Sequence, residues 1–339
     1  MSSPVSIFPI AVSMNFNNIR PIADAALEQR IRRRLDSLTK PPGSLGRLES
    51  LAVQIGLIQA TDMPRIAAKT IVIFGADHGV VEEGVSPYPS EVTGQMMANF
   101  RSGGAAISVL CRLYGIGSAI VDMGVGRPTR NFTREPAMTR EQAEAAIARG
   151  MSFADAADVL GAGEMGIGNT TSAAALLSAM SGLDPTETAG RGTGLDENGI
   201  ARKVNAIRRA IDLHRPDPGD PLGVLAALGG FEIAGIAGLI LGGAQRRRLV
   251  VLDGFISCSA ALIARALAPE SMDYVVFSHR SAERGHRVML DFLGAKPLFD
   301  LDMRLGEGSG AAIGMNLIEA SLKLYREMAT FESAGVSNR

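Results

Sequence analysis

Tryptophan is absent from the 339 residues, tyrosine occurs four times and cysteine twice. So few large aromatics exclude a stacking platform for single strands or sugar polymers. No charge of either sign dominates: 34 Lys and Arg face 35 Asp and Glu, for a net charge of −1. That balance argues against non-specific nucleic-acid binding. Cys111 and Cys258 stand far apart with no metal-type spacing, and read as two buried thiols in a reducing compartment. HxH, HExxH and CxxC patterns are missing, which leaves a metal centre without an anchor. No GxSxG elbow supplies a hydrolase nucleophile. The stretch 1–12 lacks a basic start and is interrupted by Pro9, so no signal peptide is expected and the cytoplasm is the default. The apolar stretch 222–244 carries Glu232 near its middle and a Gly229-Gly230 pair. It reads as a buried helix pair and not a membrane span. Ala234, Gly238 and Gly242, four apart, give it one small-residue face for close packing. The triplet Arg246-Arg247-Arg248 after it reads as a solvated helix end.

Glycine, by contrast, is abundant, with 39 residues and no collagen period. After Pro64 short β-branched runs alternate with helical segments such as 91–114, 140–154 and 196–213. The runs are 70–74, 118–121, 158–160, 249–252, 274–277 and 297–299, and each ends in a polar or glycine-rich loop. Alternation of this kind predicts an α/β fold: an open, doubly wound, Rossmann-like sheet of six parallel strands. The flanking stretches are helical. Helices are expected over 19–38 and from an N-cap at Ser44 to 58, and again over 311–328. The expected division is a large α/β domain, 61–310, and a small helical accessory domain made of 1–60 with 311–339. Ligands of such sheets bind at the carboxyl ends of the strands, where this sequence concentrates its glycine and polar residues.

Two of those ends carry candidate chemistry. Glu164 opens EMGIGNTT, a glycine turn that leads into a helix. Its backbone N–H groups and the side chains of Asn169, Thr170 and Thr171 suit an anion, and phosphate binding is favoured over a plain capped turn. The second turn, GEGSG at 306–310, holds Glu307 between glycines at another helix start. With Glu164 it makes a carboxylate pair suited to acid–base work on a small molecule. Asp77, His78, Asp122, Asp253 and His279 also follow strands; loop bracing near the site is preferred for them over a metal cluster. VVLDG at 250–254 vaguely resembles the ribose loop of transferases that use phosphoribosyl pyrophosphate, but that loop pairs two acids and only Asp253 is present here.

Read in order, KPPGSLGRLE (40–49), ADHG (76–79), EGVSPYP (83–89) with EVT (91–93), GEMGIGNTT (163–171), GRGTG (190–194) and LGEGSG (305–310) resemble the nicotinate-nucleotide–dimethylbenzimidazole phosphoribosyltransferase family over about residues 40–325. The resemblance implies transfer of the phosphoribosyl group of nicotinate mononucleotide to 5,6-dimethylbenzimidazole, with no cofactor and no metal. It implies Glu307 as the general base and Glu164 as its acidic neighbour. Gly166, Gly168, Asn169, Thr170, Lys203 and Ser281 would hold the nucleotide phosphate, and Tyr88, Gln95 and Leu305 would line the base pocket. It also implies a homodimer whose small domain closes the partner's cleft. The residues alone leave two other readings open: a Mg²⁺-dependent transferase using phosphoribosyl pyrophosphate, and a nucleotide-binding module without turnover.

Overall fold

Five apolar runs pair into one sheet, every neighbour parallel, in the order β2-β1-β3-β4-β5. They are β1 (Lys69–Gly75), β2 (Gly117–Asp122), β3 (Val159–Met165), β4 (Leu249–Leu252) and β5 (Val275–Phe277). The structure is a computed structural model that describes residues 15–192 and 194–337. Outside the described residues lie the stretch 1–14 with the expected leaderless start, Thr193 of the 190–194 motif, and 338–339. The order reverses at β1: the chain steps outward to β2, then crosses back to β3. The crevice between the ends of β1 and β3 is therefore the switch point where such a sheet takes ligands.

The sheet has five strands and not the six expected. The run 297–299 makes a single parallel bridge, His279 to Phe299. Pro297 has no N–H to give, and the Leu298 N–H is shared between the carbonyls of Phe277 and Ser278. The run therefore docks on the edge without forming a ladder.

β3 is longer than expected. GAGE at 161–164 reads as loop, yet it continues the strand to Met165. Its glycines serve packing. A Cβ on Gly161 would lie 2.3 Å from Ile71 Cδ1, and one on Gly163 would lie 2.4 Å from the Glu307 carbonyl oxygen. Side-chain alternation turns both glycines toward the helix Ser309–Glu327 and its leading turn. Glu164 thus sits near the end of a central strand, opposite Phe74 of β1.

Helices cover both faces. On one, Phe231–Gln245 packs against Arg140–Met151; on the other, Ser309–Glu327 packs against Arg47–Gln59. Buried side chains of all these helices and of the strands form one continuous core. The stretch 222–244 is indeed a buried helix pair, Pro221–Leu228 and Phe231–Gln245, parted at Gly229-Gly230. No helix among the described residues is long and apolar enough to cross a membrane. The small-residue face does what its spacing predicts, since a Cβ on Gly238 would lie 2.0 Å from the Ile147 carbonyl oxygen. Three local expectations fail. The expected helix 91–114 breaks at Gly103-Gly104, whose αL turn ends Glu91–Ser102. Gly46, not Ser44, precedes the helix Arg47–Gln59. Arg247 is not solvated: its guanidinium donates to the carbonyls of Leu57 and Ile58, both at 2.8 Å, and so satisfies the end of that helix.

Gly238→Ala should destabilise the protein by about 1–3 kcal/mol, because the added methyl meets backbone that cannot step aside. Gly94→Ala on Glu91–Ser102, where the Cβ would find only Val125 Cγ1 at 3.6 Å, should instead stabilise by about 0.5–1 kcal/mol. Urea unfolding of both variants checks this. Equal effects would remove the close-packing account of the small-residue face.

Candidate active site

A cleft of about 350 Å³ opens where β3, β4 and β5 end. Two helix N-termini lie at its walls, and they differ electrostatically. The first follows the turn 166–168 and begins Asn169–Ser181, with Gly168 at φ +96° as its cap and no side chain capping it. The Asn169 and Thr171 N–H groups donate within the turn, to the carbonyls of Gly166 (3.1 Å) and Gly168 (2.9 Å). Thr170, between them, lines the cleft. Behind it Lys203, fully buried, donates from Nζ to Thr170 Oγ1 (2.9 Å) and to the Gly190 carbonyl (3.2 Å). Burial pushes its ammonium down to about 8, against the pull of the Glu283 carboxylate. An uncapped helix start backed by a buried amine has the chemistry that suits an anion.

The second N-terminus, of Ser309–Glu327, is already filled. Gly308 offers it no side chain, and Asp253 from the end of β4 supplies one. Its Oδ1 accepts the Gly310 N–H (2.6 Å) and the Ala311 N–H (3.2 Å), and Oδ2 accepts the Gly308 N–H (3.0 Å). The turn before this helix places Gly306, Glu307 and Gly308 in succession at φ +86°, +64° and +92°. Glycine adopts that region freely, but a glutamate held there costs on the order of 1 kcal/mol or more, and such strain gathers at functional sites. The Glu307 Oε2 accepts the N–H of Ile107 at 3.2 Å, in the first turn of Ala106–Tyr114. That bond favours the ionised form, while burial raises the carboxyl above its usual range and prevails.

Glu164 lies beside this turn. It accepts from Asn169 Nδ2 and from the Glu307 backbone N–H. Burial first, then the charges of Asp253 and Glu232, push it up to about 8 despite those donors. Asp253 is pushed up to about 7, chiefly by burial. His78 is the buried partner of Glu232, 2.7 Å from its Oε1. His279 stacks on Phe299 and stands 3.7 Å from Asp253 Oδ1. Ser281 is held through its N–H by His286 Nδ1 (2.9 Å), so that imidazole keeps its proton on Nε2, toward Cys258 Sγ at 3.2 Å. Both cysteines are buried and unpaired. Among the described residues no group of three His, Cys, Asp or Glu is placed to hold a metal ion.

Most of the expected site residues therefore converge. Glu164, Gly166, Asn169, Thr170, Ser281, Glu307, Tyr88 and Leu305 line the cleft, Gly168 caps its anion-facing helix, and Lys203 lies just behind. Gln95 does not join them; it faces an adjacent cleft of about 870 Å³ with Asp77 and Glu82. The cleft wall instead uses Val92 and Met96 from that helix, four apart on one face, with Tyr88 from the loop before it. Sequence reasoning missed both, although their spacing of four carried the signal. It also missed Phe255, Ile256 and Glu283, and for these no local pattern pointed to the site.

A family model described as phosphoribosyltransferase matches residues 20–336. The nicotinate-nucleotide–dimethylbenzimidazole phosphoribosyltransferase of Roseiflexus sp. (strain RS-1) is 49% identical over 348 residues, spanning 97% of this chain and 98% of its own. The same-named protein of Geobacter metallireducens is 50% identical over 340 residues, covering 94% and 96%. The crystal structure of the Thermus thermophilus protein of that name superposes with a TM-score of 0.88 at 41% identity, covering 94% of this chain and all of that one. The chain belongs to the nicotinate-nucleotide–dimethylbenzimidazole phosphoribosyltransferase family. Both glycine turns and all the cleft residues above fall inside the region 20–336 that it shares with other phosphoribosyltransferases of this family.

The raised carboxyls of this phosphoribosyltransferase predict a pH dependence of stability. Between about pH 4.5 and 8 the folded protein binds protons at Glu164 and Asp253 that the unfolded chain has released, so stability falls as pH rises through that window. The slope is roughly a kcal/mol per pH unit for each group. The urea midpoint should drop from pH 6 to pH 8.5, and Glu164→Gln should flatten the drop. A midpoint that rises over that range would contradict the assignment.

Proposed function

We infer that the protein transfers the phosphoribosyl group of nicotinate mononucleotide to 5,6-dimethylbenzimidazole, giving α-ribazole 5′-phosphate and nicotinate for the lower-ligand nucleotide of cobalamin. The observation that carries the reading is one cleft with an uncapped helix N-terminus on one wall and a strained, partly buried glutamate on the other. The nucleotide phosphate sits at the start of Asn169–Ser181, against Gly166, Gly168, Asn169 and Thr170, with Lys203 and Ser281 adding donors. Lys203 gains a partner there for a charge that burial otherwise disfavours. The benzimidazole lies against Tyr88, Val92, Met96 and Leu305, whose apolar surface suits a flat dimethylated ring.

The substrate is already a pyridinium glycoside. When its C1′–N bond breaks, the electron pair returns to the ring nitrogen and neutral pyridine leaves, so no acid is needed. One benzimidazole nitrogen attacks C1′ from the opposite face, which gives the α linkage. Its other nitrogen must lose a proton, and Glu307 takes it, then releases it to solvent once product leaves. Glu164, largely protonated at neutral pH, fixes the Glu307 backbone and keeps a second negative charge from competing for that proton. No pyrophosphate departs, so no divalent cation is needed to carry its charge. The reading includes a homodimer: Val109 (49% exposed) and Leu113 (67%), four apart on the helix that binds Glu307, offer apolar surface for a second copy.

Chromatography of reactions containing nicotinate mononucleotide, 5,6-dimethylbenzimidazole and EDTA should show α-ribazole 5′-phosphate and nicotinate in equal amounts. Product only from phosphoribosyl pyrophosphate with Mg²⁺ would favour the transferase alternative, and binding without product the non-catalytic one. Glu307→Gln keeps the shape but cannot take a proton, so kcat should fall about 10²–10⁴-fold, or about 3–5 kcal/mol of barrier, with nucleotide affinity nearly unchanged. Near-normal turnover in that variant would remove Glu307 as the base.

A further inference from the structure

We propose that Asp253 is a positioning residue for the transfer, acting through Glu307 by holding the turn 306–311 against the end of β4. The proposal rests on the reading of Glu307 as the base. Nothing within the turn can hold it to the sheet: Gly306, Gly308 and Gly310 carry no side chain, and Glu307 points to Ile107. The Ser309 hydroxyl donates back to the Gly306 carbonyl at 2.8 Å, which closes the turn on itself but does not tie it to the sheet. The tie is Asp253. Both its oxygens are engaged, and the three N–H groups they accept flank Glu307 from residue 308 to residue 311.

The fit leaves no slack. A Cβ on Gly310 would lie 2.7 Å from Asp253 Oδ1, and one on Gly308 would lie 3.0 Å from Gly163 Cα. The turn is therefore gripped between the carboxylate and β3. Glycine at 308 and 310 lets the helix start come close enough to be capped from another element. A left-handed glutamate between glycines would otherwise relax toward commoner backbone and carry its carboxylate away from the cleft. The titratable groups that face Asp253 are Glu307 on the turn, Glu164 on β3, His279 after β5, and Cys258 on Phe255–Leu267.

Asp253→Asn keeps the volume but replaces one acceptor oxygen with a donor that faces backbone N–H groups. The expected result is a fall in kcat of about 10–100-fold with a nucleotide KM within threefold of the parent. The Asp253→Asn/Glu307→Gln double variant should be no slower than Glu307→Gln alone, because the first change acts through the second residue. A purely structural role would multiply the two losses, and that outcome overturns the proposal. So does normal kcat in Asp253→Asn while Glu307→Gln is slow. If instead Glu307→Gln turns over normally, the reading of the base fails. Should Asp253→Asn not fold, Asp253→Glu keeps the charge but pushes the turn outward by a methylene. It should lower kcat at unchanged nucleotide KM, and a parental kcat there would overturn the proposal equally.

Discussion

The Asp253 carboxylate is 1% exposed and is compensated by the free N–H groups at the start of Ser309–Glu327. A buried carboxylate without donors would be costly, and a helix start without an acceptor would leave its first N–H groups unpaired. Each resolves the other's problem, and the exchange ties the last long helix to the middle of the sheet. The consequence for the cleft is a division between its two glycine turns. One helix start is satisfied by the protein itself and presents a glutamate. The other, at Asn169, has no side-chain cap and is open to a ligand. Both turns are glycine-rich for the same steric reason, yet they do opposite electrostatic work.

That division matches the charge of the substrate in the proposed reaction. Nicotinate mononucleotide carries an anionic phosphate at one end and a cationic ring at the other. In that reading the phosphate end meets a helix start beside Thr170, which Lys203 backs. In the same reading the ring end lies toward Glu164, Asp253 and Glu307, three carboxyl groups whose burial raises their affinity for protons. The pyridinium nitrogen is favoured beside an ionised carboxylate and the phosphate is not, so complementarity selects orientation as well as affinity.

Much of this was legible in the sequence, because α/β sheets put polar and glycine-rich residues at strand ends. The turns at 166–168 and 306–308, and the glutamates beside them, could be located from that rule alone. What could not be read was the use of each glycine. Gly161 and Gly163 look like loop residues but sit on β3, where the helix and turn above leave no room for a side chain. The run 297–299 looks like a strand, but Pro297 and a shared N–H prevent a ladder. Lys203 by itself reads as a solvated lysine, and only tertiary packing buries it. Gln95 follows the right motif yet lies on the wrong side of its helix for the cleft, while Val92 and Met96 take that wall. Asp253 was visible as a candidate brace, but its three partners lie more than fifty residues away, beyond any local pattern.

The division between the two helix starts can be observed directly in a crystal structure of the protein with nicotinate mononucleotide bound. The account places the phosphate at the start of Asn169–Ser181, within hydrogen-bond distance of Thr170 and of Lys203 Nζ, with Asp253 still holding Gly308, Gly310 and Ala311. A phosphate seated instead on the 308–311 N–H groups, with Asp253 displaced from them, would contradict it.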